Sequence, residues 1–149
     1  MRIRPFRPGD AAASSRIIRS CFDKVNNYPA TTTEKLKKSN TARGLREKSL
    51  KRTFYVAEDE DGILGIAGFQ DDEVKTVFVK PGEHGRGVGR KLMGKVLAEM
   101  GTKGHRTLTV FSSPEAEGFY ERFGFEKVRK ETLDFKGSPL AIVRMTKKL

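Results

Sequence analysis

EVKTVFVKPGEHGRGVGRKLMGKVLAEMG, residues 73–101, decides how this chain is read. Its first part alternates, with Val74, Thr76, Phe78 and Lys80 on one side and Glu73, Lys75, Val77 and Val79 on the other. The run is rich in β-branched and aromatic residues, which is strand chemistry. Pro81 cannot donate to a ladder and ends the strand. Gly82, Gly85, Gly87 and Gly89 then crowd into eight residues. From Val88 the period changes: Val88, Leu92, Val96, Leu97 and Met100 share one helical face, and Gly101 is a stop. The stretch therefore predicts a strand, a glycine-rich turn and a helix over 86–100.

A glycine turn that opens a helix is an anion site. The first helical N–H groups lack partners within the helix, and the macrodipole places positive charge there. Glycines let a phosphate approach the backbone without a Cβ in the way. Arg86, Arg90 and Lys91 add full charges at the same end. A pyrophosphate is expected over residues 84–90. The spacing excludes two common nucleotide motifs. Gly85, Gly87 and Gly89 stand at i, i+2 and i+4, so the third glycine is misplaced for a dinucleotide fingerprint, and no acidic strand end follows near position 110. The G-x-x-x-x-G-K-S/T pattern of a P-loop is absent as well.

The run V-x-P-x-x-x-G-R-G-V-G-R-x-L-M from Val79 to Met93 resembles the acetyl-CoA loop of the GNAT N-acetyltransferase superfamily, whose core is Q/R-x-x-G-x-G/A. That core falls on His84, Gly85, Arg86, Gly87, Val88 and Gly89, with His84 where the family usually has Gln or Arg. His84 could hold a phosphate oxygen or cap the turn. A second block, SPEAEGFYERFGF from Ser113 to Phe125, resembles the family's later N-x-x-A-x-x-F-Y-x-x-x-G-F motif, with Ser113 at the Asn position. The two blocks are separated by one helix and one strand, as in the family. With its flanks the resemblance covers about residues 54–147.

The chain has 149 residues, which predicts a single domain over 1–149 and enough length for a sizeable core. No apolar run approaches the ~18 residues of a membrane span, and the start, MRIRPFRPGD, lacks the apolar stretch of a secretory signal. One cysteine, Cys21, allows no internal disulfide and fits a reducing cytoplasm. Cys21 lies on an apolar helical face and reads as a small core residue. The net charge is +11, and residues 1–50 hold 12 basic against 4 acidic residues. A basic first third attracts an anionic cofactor, an acidic protein or nucleic acid, or is simply a solvated face.

Read in order, residues 2–6 form a short strand, Asp10 caps a helix over 11–22, and 26–33 form a loop. One of Thr31, Thr32 and Thr33 caps a second, very basic helix over 34–50 that Gly44 interrupts. Residues 54–58 and 63–69 form a hairpin about an acidic turn. Gly65 and Gly68 mark a bulge or a close backbone approach. After the glycine turn and its helix come a strand over 106–111, a short helix over 116–123 closed by Gly124, and strands over 125–129 and 141–145. The predicted order is β-α-α-β-β-β-α-β-α-β-β. The fold class is α/β (α+β): a GNAT-like mixed, mostly antiparallel sheet with helices on both faces. In the family the strands that match 73–80 and 106–111 run parallel and splay apart to admit the cofactor.

The resemblance implies transfer of an acetyl group from acetyl-CoA, a cosubstrate, to a primary amine by direct attack in a ternary complex, with no metal. The acceptor is open: a small-molecule amine or a protein amine. Glu73 aligns with a glutamate that serves as general base in part of the family, and Asp71 and Asp72 would raise its pKa. Otherwise these are three exposed turn carboxylates. Tyr120 matches the family's tyrosine and would protonate or hydrogen-bond the leaving thiolate. Its alternative is a core aromatic, like Phe119, Phe123 and Phe125. The cofactor-binding set is Val77, Phe78 and Val79 on the strand, His84, Gly85, Arg86, Gly87, Val88, Gly89 and Arg90 in the loop and helix start, and Ser113. The thioester carbonyl is expected at the backbone near Val79, with Val77 and Val79 along the pantetheine arm.

Cys21 is far from both motifs in sequence, which argues against an acyl-enzyme. A basic wall over 34–52 would disfavour strongly cationic acceptors and suit an amine carrying a carboxylate or phosphate, or an acidic peptide. Dimers are common in the family, and no stretch here demands one. The competing reading is a non-catalytic module on the same fold that holds CoA, or that uses the basic segment 35–52 on nucleic acid. His84 and Ser113 favour it. Glu73, Tyr120 and the absence of aromatics among the basic residues weigh against it.

Overall fold

The computed structural model describes residues 1–25 and 27–149. Seven strands form one sheet in the order β1-β2-β3-β4-β5-β7-β6. They are β1 (Arg2–Pro5), β2 (Thr53–Asp59), β3 (Gly62–Gln70), β4 (Glu73–Val79), β5 (Thr107–Ser112), β6 (Glu126–Phe135) and β7 (Ser138–Lys148). Five helices accompany them: α1 (Ala11–Asp23), α2 (Ala30–Ser39), α3 (Ala42–Lys48), α4 (Val88–Gly101) and α5 (Glu117–Glu121). β4 and β5 pair in parallel, and the other five pairings are antiparallel. This is the mixed, mostly antiparallel sheet expected from the sequence.

The sheet divides two cores. On one face α4 lays Val88, Leu92, Met93, Val96 and Met100 against Leu64, Ala67, Phe69, Val74 and Val110, with Tyr120 and Phe125 closing the end. On the other, α1 and α3 bring Ala11, Ile18, Phe22 and Leu45 against Phe54, Val56 and Ile66. α4 lies close over β3: a Cβ at Gly65 would stand 3.0 Å from Leu92 and 3.1 Å from Val88. Gly68 is as tight, because its Cβ would meet the Phe54 ring at 2.4 Å.

Two irregularities set the phase of the central strands. Leu64 is an extra residue in β3 opposite the Ala57–Glu58 step, and Lys75 is an extra residue in β4 opposite the Gly68–Phe69 step. An inserted residue reverses which alternate side chains face which side. Val74 therefore faces the α4 core, and so do Val77 and Val79, three and five residues on, while Phe78 packs on the α1 side against Phe22. The simple alternation read across residues 73–80 does not hold through Lys75.

Several boundaries differ from the sequence reading. The basic helix expected over 34–50 is two helices, so the order runs β-α-α-α-β-β-β-α-β-α-β-β. The break falls at Asn40 and Thr41 rather than at Gly44. The Thr41 hydroxyl accepts from the Gly44 N–H at 3.1 Å and starts α3, and Gly44 lies within α3, where a Cβ would stand 2.4 Å from the Ser39 carbonyl oxygen. α2 begins at Ala30 after Pro29, so Thr31 to Thr33 lie inside it, and Thr32 donates to the Pro139 carbonyl at 2.7 Å. Asn26, the first residue of the predicted loop over 26–33, lies outside the described residues. Asp10 precedes α1, but its carboxylate accepts from Arg4 and from the Arg7 N–H, not from the helix. β6 and β7 run far beyond 125–129 and 141–145 because the polar string KVRKETLDF is an edge strand with most of its side chains exposed.

Candidate active site

β4 and β5 are joined only where Glu73 faces Thr109 and Val74 faces Val110. Beyond Val74 they part. Lys80 donates to the Leu64 carbonyl at 2.8 Å across β3. Antiparallel ladders alternate bonded and unbonded residues, so the backbone polar groups of Val77 and Val79 face away from β3, toward β5. The Val79 carbonyl accepts the Cys21 thiol from α1 at 3.2 Å. The parting is thus an opening lined by backbone hydrogen-bonding groups.

Two cavities meet there. The outer one, about 730 Å³, is lined by Val77, Phe78, Val79, His84, Ser113 and Glu115 with Cys21 and Lys24 of the α1 end. The inner one, about 290 Å³, takes in Tyr28, Lys48, Arg52, Lys75, Thr76, Phe111, Tyr120, Leu140 and Ile142. Cys21, Val25, Val77, Phe78, Ser113 and Ala116 border both. The sequence-predicted Val77, Phe78, Val79, His84 and Ser113 are brought together, and Tyr120 joins them from α5.

The glycine turn is built as an anion cradle requires. Gly82, Gly85 and Gly87 have φ of 89°, 89° and 79°, a left-handed backbone that side chains resist. Gly87 is the residue before α4, and the first helical bond runs from Lys91 N–H to the Gly87 carbonyl at 3.0 Å. The N–H groups of Val88, Gly89 and Arg90 thus have no acceptor within the helix. One detail departs from expectation. Arg86 pairs with Glu83 at 2.5 Å and Asp59 at 3.6 Å, so its charge is directed to those carboxylates. Arg90 keeps its guanidinium over Gly87, 3.3 Å from where a Cβ would stand. Gly89 is small for a packing reason: its Cβ would sit 3.1 Å from the Phe119 ring.

Tyr120 is 7 % exposed and its phenol is pushed well above its usual value by burial. A phenol that holds its proton so firmly is a donor at neutral pH. Phe119 and Phe125 pack edge-on against it, and Phe123 packs edge-on against Phe119. Glu73, part-buried at the start of β4, does not border the inner cavity. Its contact is the ammonium of Lys75 at 3.2 Å, and Arg52 lies within its field. Asp71 and Asp72 are exposed on the turn. The like-charge surroundings expected for Glu73 are replaced by cations.

The basic wall expected over 34–52 does border the inner cavity, through Lys48 and Arg52, but sequence reasoning did not single these two out. Lys48 donates to the Asn40 amide oxygen at 3.0 Å, and burial, followed by Arg52, Lys136 and Lys75, lowers its ammonium to about 8. Burial also lowers Arg52. The basic composition of 34–52 was a signal, but the break at Asn40 and Thr41, which sets which cations turn inward, was not visible. Cys21 is a second miss. Distance along the chain hid its contact with Val79. Burial pushes its thiol up to about 11, so it stays protonated at neutral pH and is a poor nucleophile.

Comparison with known proteins agrees with this geometry. The family profile described as an acetyltransferase (GNAT) domain matches residues 18–149, and the chain belongs to the GNAT acetyltransferase family. An uncharacterized protein of Mycobacterium leprae is 30 % identical over 131 residues, 81 % of this chain and 33 % of that protein. An uncharacterized N-acetyltransferase of Methanocaldococcus jannaschii is 33 % identical over 76 residues, 49 % of this chain and 34 % of its own length. The chain thus spans about a third of the length of these two relatives. Among solved structures, a GCN5-related N-acetyltransferase of Rhodopseudomonas palustris superposes with a TM-score of 0.90 at 24 % identity, covering 99 % of this chain and 95 % of that one. The PaiA N-acetyltransferase of Thermoplasma acidophilum, solved in complex with coenzyme A, gives 0.77 at 18 % identity, over 99 % and 98 % of the two chains. YncA of Salmonella typhimurium, a putative acetyltransferase solved with acetyl-CoA, gives 0.70 at 23 % identity, over 100 % and 94 %. These likenesses establish the fold. No helix among the described residues is long and apolar enough to cross a membrane.

Proposed function

We propose that residues 1–149 act as one acetyl-CoA-dependent N-acetyltransferase domain that transfers the acetyl group directly to a primary amine. The observation that carries this reading is the confinement of the β4–β5 pairing to two residue pairs beside a glycine-cradled helix start. The residues fit the cofactor. The left-handed turn at Gly82, Gly85 and Gly87 and the partnerless N–H groups of Val88, Gly89 and Arg90 suit a pyrophosphate. The Val77 and Val79 backbone suits an extended amide-bearing arm, and His84 and Ser113 border its path. Acetyl-CoA, when bound, supplies the activated acyl group.

In this reading Glu73 accepts the ammonium proton through a water, since it stands behind the inner cavity wall and must leave Lys75 to do so. The N–H groups that face away from β3 stabilise negative charge on the acyl oxygen as the nitrogen–carbon bond forms. Tyr120 keeps its proton and donates a hydrogen bond to the sulfur as the carbon–sulfur bond breaks and the thiolate leaves. Cys21 keeps its proton and orders the Val79 carbonyl, so no acyl-enzyme is required.

Thermal unfolding with and without acetyl-CoA tests this. Ligand at 100 times its dissociation constant adds ~2.7 kcal/mol, or about 5–10 °C for a chain of this size. Thiol release should then appear when an accepted amine is added. No saturable rise would remove the reading and leave a module whose binding should fall steeply with salt if its ligand is nucleic acid.

A further inference from the structure

The inner cavity has a cationic part and an apolar part. Lys48 ends α3 and Arg52 follows it by four residues, with the Arg52 N–H donating to the Lys48 carbonyl at 2.8 Å. This helical spacing sends both side chains to one side. Lys75, the extra residue of β4, borders the same space. None of the residues bordering the cavity is an Asp or a Glu. The Lys48 ammonium is held by a neutral amide, that of Asn40, and not by a carboxylate. Phe111, Leu140 and Ile142 from β5 and β7 supply the apolar part of the lining. Glu73 pairs with Lys75 and acts on Arg52 from outside the cavity, but the half-buried Lys48 has only a neutral amide; a confined charge without a counter-ion is costly, and an anion placed beside it relieves that cost. At about 290 Å³ the space is at the small end of the ~300–1,000 Å³ common for small-molecule sites.

We propose that the acceptor is a small primary amine with a carboxylate or phosphate-like anion on an apolar body, the anion lying between Lys48 and Arg52 and the body against Phe111, Leu140 and Ile142. This rests on the acetyltransferase reading and narrows its substrate. The charge pattern excludes polyamines and polycationic aminoglycosides, whose every nitrogen would be repelled by the same three cations. The size excludes a peptide held along its length. The carboxylate and the phosphate share one chemistry, two or three anionic oxygens for a guanidinium and an ammonium.

The test uses the full chain and three sets of amines: aliphatic and aromatic amino acids with the amine at varied distance from the carboxylate, the same amines without the carboxylate, and the matching aminophosphonates. Acetylation is followed by thiol release and product mass. At least one anionic amine should show a kcat/KM tenfold or more above its uncharged counterpart, and the better of the carboxylate and phosphonate arms names the anion. Arg52→Gln and Lys48→Met should raise KM for that amine at least tenfold with little change for the uncharged one, and Arg52→Lys should recover part of the loss. Lys75→Gln, a change at an exposed residue, gives a second variant that folding cannot confound, with a KM rise of two- to fivefold. Preference for uncharged amines or spermidine would overturn the proposal, as would a protein that binds acetyl-CoA yet neither acetylates nor binds any anionic amine of the panel. Failure to bind acetyl-CoA at all would instead sink the acetyltransferase reading, and this narrowing with it.

Discussion

Replacing Lys48 with methionine should change the stability of the protein in opposite ways at neutral and high pH. Burial is the main reason that the Lys48 ammonium falls from 10.5 to about 8, with Arg52, Lys136 and Lys75 adding to it. The folded value lies below the unfolded one. Below pH 8 both states hold the proton, and the folded state carries the full cost of a confined charge. Between pH 8 and 10.5 the folded state releases its proton first and the cost fades; above 10.5 it is gone. At ~1.36 kcal/mol per pH unit the upper figure is about 3.4 kcal/mol. The side chain is only half-buried, and solvent screening reduces this to about 1–2 kcal/mol. The bond to Asn40 contributes ~1 kcal/mol in either protonation state. Lys48→Met should therefore be neutral or slightly stabilising at pH 7 and destabilising by ~1 kcal/mol at pH 10. The swing between the two is about 3–6 °C in Tm relative to wild type. Paired melts at the two pH values, in buffer free of multivalent anions, measure it. A difference between variant and wild type that does not move with pH would refute the argument that Lys48 is a confined charge without a counter-ion.

Tyr120→Phe should leave Tm within about 1 °C and lower kcat by ~10²-fold, as loss of one hydrogen-bond donor to developing charge does; an unchanged kcat would return Tyr120 to the core. Gly87→Ala places a side chain at φ 79°, which costs ~1–2 kcal/mol, and it should lower both Tm and acetyl-CoA affinity, the first by melting and the second by titration. An unchanged Tm would mean that the turn relaxes freely. Cys21 should alkylate slowly at pH 7, with a rate that climbs about tenfold per pH unit toward its value of about 11. Cys21→Ala should still transfer acetyl groups, and an isolable acyl-enzyme on Cys21 in the wild type would contradict direct transfer.

Much of this was legible in the chain because its signals were local. The glycines at 82, 85 and 87 have the left-handed backbone that their crowding implied, and the strand and helix around them follow from period alone. The later block delivered Tyr120 to the same cavity as Val77 and Ser113. What escaped was set by partners distant in sequence. Arg86 looked like a phosphate ligand, but Asp59 sits across the sheet's hairpin turn to share it with Glu83. Glu73 looked crowded by acids, but Arg52 reaches it from the far end of the basic segment, beside Lys75, which the strand's own alternation puts on the same side. The basic wall read over 34–52 did not say which of its cations meet the acceptor, and the break at Asn40 and Thr41 is what turns Lys48 and Arg52 inward. Cys21 seemed remote because the contact that matters spans 58 residues of chain.

The extra residue at Lys75 gives β4 two grammars. Ahead of it the even-numbered Val74 belongs to the α4 side; after it the odd-numbered Val77 and Val79 do. A scan of substitutions along the strand should find polar residues disturbing the α4 core from 74, 77 and 79, and the α1 core from 78. Removing Lys75 would restore one grammar throughout: Val74 would be followed directly by Thr76, still opposite Phe69 and Gly68, and Val77 and Val79 would keep the α4 side. A single-residue deletion there should thus be felt as a lost cation and a lost local twist, with the valines still beneath α4, whereas deleting Thr76 or Val77 beyond the bulge would put the following valines on the wrong side.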